Sequence, residues 1–511
     1  MAGRAVALSP AAGLAALVLL ALFAPVAALL AAPGGAGLSA GDWAAVRFTL
    51  LQAVLSAALS CLLAVPLARA LARRRFPGRR LLVLALGAPF ILPAIVAVMG
   101  LVAVFGRAGW VNFGLGSLGL PPLSIYGLQG VVLAHVFFNL PLATRILLFG
   151  WDTVPAERLR LAASLGFAPA DTFRHIEAPM LRAVLPGAFV AVFAICLTSF
   201  AVALTLGGGP RATTVELAIY QALRFDFDLA GAARLALVQA ALAGAALALA
   251  ARVVKAPGWG GGLDRPWPAG APGGWRRAGD AAVIASAAAF LMLPIAAVAT
   301  RGAPGLAALP AEVWAAAGRS LAVALAATLA TLALALPLAL AAARGGRLSL
   351  AAGTLPLAVS GLVLGTGLFL MLRPFVRPAD FALPVTVMVN ALLALPFAVR
   401  VLLPGAQALA GQDRLCATLG LQGWDRARLV TLPRLARPLG FAAGIAAALA
   451  MGDLGVIALF ADEGGATLPL AVSRLMGAYR MEAAAGAALL LVALSFALFA
   501  VFDGVGRRAG T

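Results

Sequence analysis

The few ionisable residues of this chain are where its chemistry must lie. Only 11% of its 511 residues are charged, against 63% hydrophobic. Two polar stretches of twenty residues interrupt the oil: "RLAASLGFAPADTFRHIEAP", 160–179, and "RLCATLGLQGWDRARLVTLP", 414–433, repeated 254 residues later. Together they read R-L-x-A-[ST]-L-G, nine residues, then [IV]-x-[AL]-P. Arg160, Ala163, Gly166, Ile176 and Pro179 hold the pattern in one copy, and Arg414, Ala417, Gly420, Val430 and Pro433 in the other. Each lies between two apolar runs, where a short helix, a glycine turn and a second helix would make a compact surface knob. Leu161 and Leu165, like Leu415 and Leu419, are four apart and share a helical face. Gly166 and Gly420 come where a short helix would end in a left-handed residue. A second short helix is expected next, closed by the proline.

Elsewhere the candidates are isolated. Asp453 falls well inside an apolar run, where a carboxylate is expensive unless it faces a cavity or a partner. A functional carboxylate is one reading, and a structural acceptor for neighbouring helix backbone or a nearby Arg is the other. Asn390, Ser199, His135 and Asn139 are further polar span residues suited to holding helices together. "TTVELAIYQAL" reads as a short helix with Thr213 or Thr214 as cap and Glu216 in its first turn, after a bend at Gly207, Gly208, Gly209 and Pro210. His135 and His175 are the only histidines and form no metal-ligand pattern with the three cysteines. Cys61 and Cys196 lie in spans and Cys416 in a loop, so no disulfide framework is implied. No catalytic residue and no metal ligand is therefore assigned. A phosphate-binding loop needs G-x-x-x-x-G-K-[ST], and the only lysine, Lys255 in "RVVKAPG", is not in one. The chain cannot be its own ATPase.

The elements that must position these residues are transmembrane helices. Mean hydropathy is +1.03, and twelve apolar runs approach or exceed the roughly 18–20 residues that cross hydrocarbon: about 11–32, 48–70, 81–106, 126–150, 183–207, 230–251, 280–300, 317–343, 348–372, 382–403, 438–460 and 482–502. The first is too long for the apolar core of a signal peptide and is expected to stay as a span. Pro89, Pro93, Pro141 and Pro396 are expected to kink spans. With both termini on one side, the 38 Lys and Arg divide 27 to 11 between the two sets of loops. The richer side holds both twin stretches and is expected to be cytoplasmic. The net charge of +19 is thus topology, and no nucleic acid is implied; the partner of this surface is membrane lipid. Arg145 and Arg400 end spans and are expected to anchor the loops.

The chain also repeats itself at large scale. "LPLATRILL" (140–148) matches "LPFAVRVLL" (395–403), "TTVELAI" (213–219) aligns with "ATLPLAV" (466–472), and "PAIVAVMGL" (93–101) takes the place of "SGLVLGTGL" (360–368). Ordered matches indicate duplication. Six spans per copy give both copies one orientation. The expected plan is a first repeat over 1–255, a Gly/Pro-rich linker over 256–274 and a second repeat over 275–511: an all-α polytopic protein of about twelve helices.

The twin stretches resemble the loop of type I ABC importer permeases whose consensus is E-A-A, three residues, G, nine residues, I-x-L-P. The Gly-to-Pro spacing agrees in both copies. Arg160 and Arg414 stand where the family has Glu, and Ala178 where it has Leu. "TLGGGPRATTVELAIYQALRFDFD" (205–228) and "MGDLGVIALF" (451–460) look like the thiamine branch of that family, and the likeness extends over most of the chain. The resemblance implies the binding-protein-dependent importer permease fold in a bacterial inner membrane. It implies two copies of a cytoplasmic ABC ATPase carrying the ATP and Mg, a periplasmic thiamine-binding protein, and no cofactor in this chain. Asp453, Asn390, Ser199 and Glu216 are the candidates for its path or gate. A permease of this kind for iron(III) or another small solute is the near alternative. An ion-coupled secondary transporter is the alternative of another class.

Overall fold

The computed structural model describes residues 10–32, 37–87, 91–207, 209, 212–253, 274–307, 309–462 and 464–509. The linker at 256–273, Lys255, Pro89, Gly208 and Pro210 lie outside them. Twelve principal helices are labelled in chain order: α1 Pro10–Leu30, α2 Ala40–Arg73, α3 Ala94–Phe105, α4 Leu128–Asp152, α5 Ala178–Leu197, α6 Leu229–Val253, α7 Trp275–Gly305, α8 Ala311–Ala343, α9 Gly361–Leu372, α10 Ala382–Ala410, α11 Leu432–Met451 and α12 Met481–Ala509. Among the described residues eleven helical stretches are long and apolar enough to span a membrane, and the pair Arg347–Ala358 and Gly361–Leu372, bent by 97°, makes a twelfth. This is an all-α, multi-pass membrane protein. The absence of strands among the described residues follows from the need to satisfy every backbone group in hydrocarbon.

Four of the expected spans are broken rather than continuous. The run at 81–106 divides into Arg79–Ala85 and α3, which begins after Pro93. Pro93 therefore starts a helix instead of kinking one, because it has no N–H to continue an earlier ladder. Pro141 and Pro396 do lie inside helices. The run at 348–372 turns at Val359–Ser360, where the Ser360 hydroxyl accepts from Val363 N at 3.2 Å and caps α9. The runs at 183–207 and 438–460 stop at Leu197 and Met451 and resume as Ala201–Leu206 and Gly455–Phe460. Asp453 accordingly sits in a break, not in a helical interior.

Packing crosses between the two halves of the chain. α1 lies against α9, and α7 against α3. A Cβ on Gly100 would fall closer than 3.0 Å to the Pro294 carbonyl oxygen of α7, and one on Gly367 equally close to that of Pro25 in α1. Both contacts are backbone against backbone, which only glycine permits. At the end carrying the twin stretches, Asp280 of α7 takes Arg73 at 3.0 Å and Arg74 at 2.6 Å, both from the end of α2. Gly100→Ala and Gly367→Ala should each lower stability by about 1–3 kcal/mol, the usual range for overpacking. Gly244→Ala, with open space around it, should not; thermal melts in detergent check all three.

Candidate functional site

The twin stretches fold into two knobs of the same design. In the first, helix Ala156–Ser164 ends at Gly166, whose φ is +70°; in the second, Asp413–Thr418 ends at Gly420, φ +68°. Phe167 N donates to Ala162 O and Leu421 N to Cys416 O, closing each helix in a Schellman turn. Short helices Pro169–Thr172 and Gly423–Arg426 follow, then π-helical turns Phe173–Glu177 and Ala427–Thr431. Here the structure corrects the expectation that the proline closes a second helix. Each π turn runs without a break into α5 or α11, with Pro179 or Pro433 as the second residue of the long helix. In the wider turn Ala178 N reaches back five residues to Phe173 O, and Leu432 N to Ala427 O. The hydrogen bonds have shifted register before the proline arrives, so its missing N–H breaks nothing.

Each knob turns its leucines outward. Leu161 and Leu165 are 59% and 63% exposed, and Leu415 and Leu419 are 59% and 64% exposed. Arg160, Ala163, Gly166, Arg414, Ala417, Gly420 and Pro433 are also exposed, whereas Pro179 and Val430 are half-buried and Ile176 is buried. The opposite side of the first knob, Ala156, Leu159 and Ala162, faces the bundle.

The groups that fasten the knobs were not singled out in the sequence. Glu177, in the first π turn, is buried and pairs with Arg69 of α2 at 2.6 Å, while that guanidinium lies 4.9 Å from the Phe173 ring centre. A Glu beside the proline was visible, but nothing in the sequence connects it to an arginine 108 positions away. Among the described residues the second knob has no buried pair of this kind. Asp413 instead takes Arg344 at 2.9 Å and also Arg426. Hydrogen bonds from those two arginines hold its carboxyl down at about 2. A carboxylate thus stands one residue before Arg414, close to where the family consensus places Glu.

At the opposite end, two short helices re-enter the bundle. Thr214 caps Val215–Arg224 by accepting from Leu217 N at 3.3 Å, which settles the choice between Thr213 and Thr214. Val215 N itself donates to the Thr49 hydroxyl of α2 at 2.9 Å, and in the second half Leu468 N, at the start of the short helix Leu468–Gly477, donates to the Ser320 hydroxyl of α8 at 2.7 Å. Thr49 and Ser320 each lie nine residues into their helices. Each short helix is therefore pinned about 14 Å below the start of its neighbour.

The broken spans meet beneath these short helices. Gln52 Nε2 donates to Cys196 O and Gln239 Nε2 to Leu197 O, both at 2.9 Å, at the end of α5. Ser199 lies half-buried in the same break. Asp453 is half-buried, with Oδ1 accepting weakly from Val456 N at 3.5 Å and Oδ2 buried without a hydrogen-bond partner. Asn390 of α10 faces it with its amide nitrogen also unpartnered. Glu216 is 0% exposed. His135 and Asn139 serve the bundle instead, through Ser56 Oγ at 3.3 Å and Cys196 Sγ at 3.4 Å. A cavity of about 310 Å³ lies elsewhere, lined by Leu223, Arg224, Phe227, Leu229, Phe369 and Arg373.

A multi-pass bundle with broken spans at its centre and matched knobs at one end defines a membrane transport subunit, a permease. Its relatives specify it further, and the chain belongs to the family of thiamine transport system permease proteins. It is 42% identical to the thiamine transport system permease protein ThiP of Brucella abortus (strain 2308), over 97% of this chain and 95% of that one. The ThiP of Escherichia coli (strain K12) is 41% identical over 92% of this chain and 90% of its own. The sulfate transport system permease protein CysW of Synechococcus elongatus is 28% identical over 34% of this chain and 61% of its own. No protein-family model matches the chain. Permeases of this family are not enzymes, and no reaction is assigned to the chain.

Glu177→Ala leaves Arg69 unpaired in a largely buried site and should destabilise the protein by about 3–5 kcal/mol; a melting curve tests this, and Arg69→Leu added to it should recover part of the loss. The Asp413 pairs act differently with pH. The folded pKa lies below the ordinary carboxylate value, so their contribution is complete above about pH 4 and disappears as pH falls through about 2. At pH 5, Asp413→Asn should speed amide exchange over 413–421 and leave 156–166 unchanged.

Proposed function

We propose that this chain is the membrane-spanning permease of an ATP-driven importer of thiamine or its phosphate esters, with residues 1–255 and 275–511 as its two repeats. It works in the bacterial inner membrane with both termini in the cytoplasm, in agreement with the Lys and Arg excess on the knob side. The observation that carries the reading is the pair of knobs, alike in helix, left-handed glycine and π turn, with leucines facing outward. Exposed apolar side chains on a rigid turn suit insertion into a partner's cleft. Two knobs call for two copies of a cytoplasmic ABC ATPase, which bring the ATP and Mg. The re-entrant helices at the opposite end are the place for a periplasmic thiamine-binding protein to release its cargo.

In this cycle the binding protein delivers thiamine and ATP binding draws the two ATPases together. The knobs follow, and each pulls on a span to which it is joined without a break. The outer side of the path opens, and hydrolysis resets it. Thiamine is favoured over iron(III) by the relatives' names and their coverage of nearly the whole chain.

Two measurements test the proposal. Cells lacking the gene should lose high-affinity uptake of labelled thiamine and keep iron uptake; unchanged thiamine uptake rejects the cargo. Leu161→Asp together with Leu415→Asp should abolish copurification of the ATPase and reduce uptake to background. Uptake that continues without the ATPase would instead establish a secondary transporter.

A further inference from the structure

The docking knobs leave the polar groups at the bundle centre unused. Glu216 is completely buried and neither carboxylate oxygen has a hydrogen-bond partner. The polar groups facing it are Ser360, at the N-terminus of α9, and Gln239 of α6, whose amide nitrogen gives one of its two hydrogens to Leu197 O. Asp453 lies in the break just before the short helix Gly455–Phe460. Gly455, two residues on, lies against Leu362 and Phe200. Phe200 in turn meets the Tyr220 ring edge-on at 5.2 Å, one turn along from Glu216 on the same short helix. Among the described residues no Lys or Arg stands within ion-pair distance of either carboxylate.

We propose that Asp453 and Glu216, with Asn390, Ser360 and the Phe200–Tyr220 pair, form a recognition site for an aromatic organic cation inside the translocation path. The inference rests on the permease reading above and adds where and how the cargo is selected. Carboxylates without a counter-charge in a low-dielectric interior are strongly unfavourable as ions. A positively charged ring supplied from outside the chain is the missing partner, and aromatic faces add cation–π attraction. Asn390 offers an unpartnered N–H and Glu216 an unpartnered pair of acceptors, which suits a flat heteroaromatic cation carrying both donors and acceptors. The 310 Å³ cavity does not serve this purpose, because Arg224 and Arg373 line it and would repel a cation. The recurrence of the two halves gives independent support: the equivalents of Asp453 and Glu216 in the other half are Ser199 and Pro469, so neither carboxylate is required by the shared backbone.

The test uses the complete complex in proteoliposomes, with its ATPase and binding protein. Uptake is measured for thiamine and for its neutral isostere, in which carbon replaces the thiazolium nitrogen. Asp453→Asn and Glu216→Gln should each raise the apparent KM for thiamine about tenfold, a loss typical of one charge contact. Uptake of the isostere should be unaffected, and Glu216→Asp should restore part of the preference. The binding protein is common to all arms and cancels in the comparison between variants. The melting temperature of Glu216→Gln should stay at or above that of the parent, since a buried unpaired carboxylate has been removed. If the isostere is not carried at all, the KM change with its Asp rescue decides. A KM for thiamine unchanged in both variants overturns the site while leaving the importer intact. Equal loss for both substrates with a lowered melting temperature also overturns it, in favour of a structural role. Failure of the parent complex to carry thiamine overturns the functional reading and this site with it.

Discussion

Backbone polar groups inside hydrocarbon must find partners, and this one constraint orders the centre of the molecule. A permease path needs chain breaks at depth, and each break frees N–H and C=O groups that lipid cannot satisfy. Gln52 and Gln239 take the carbonyls of Cys196 and Leu197. Thr49 and Ser320 receive the first N–H of the two re-entrant helices, and Ser360 caps α9. Residues that would pass in a list of polar span positions as general helix glue are thus assigned to particular orphaned groups. Without them the broken helices would be costly to keep, and the bundle would have no irregular backbone with which to line a path.

The two halves of the chain share backbone solutions and differ in side-chain chemistry. Glycine against a proline carbonyl, left-handed glycine in the knob, the π turn and the pinned re-entrant helix all occur twice. The charges do not. Glu177 struts one knob to α2, while the other relies on Asp413 between two arginines. Asp453 and Glu216 likewise have no counterpart. What recurs between the halves is what the fold demands, and the unshared residues are where the halves differ in chemistry. The crossing of α1 onto α9 and of α7 onto α3 joins the halves at their broken spans.

Much of this was legible in the chain itself. Composition and span length decide class and element type, because a helix is the only unbroken solution to crossing lipid for such sequences. The positions of Gly166 and Gly420 announce the left-handed turns, since few other residues adopt that conformation without strain. The match between 93–101 and 360–368 carried Gly100 and Gly367 in register, although its meaning as a contact between halves was hidden. What periodicity could not reveal is where a run of apolar residues stops being one helix. Helical segments end at Leu197, Ala358 and Met451 within stretches that hydropathy reads as continuous, because apolar character reports depth and not direction. Tertiary structure alone decided those breaks, the register shift that lets Pro179 and Pro433 stay helical, and the pairings of Arg69 with Glu177 and Arg73 and Arg74 with Asp280. Each of these joins groups more than a hundred residues apart or depends on a backbone hydrogen bond that moves by one position. Local sequence determines what a segment can be; which partner satisfies its polar groups is settled only when the helices pack.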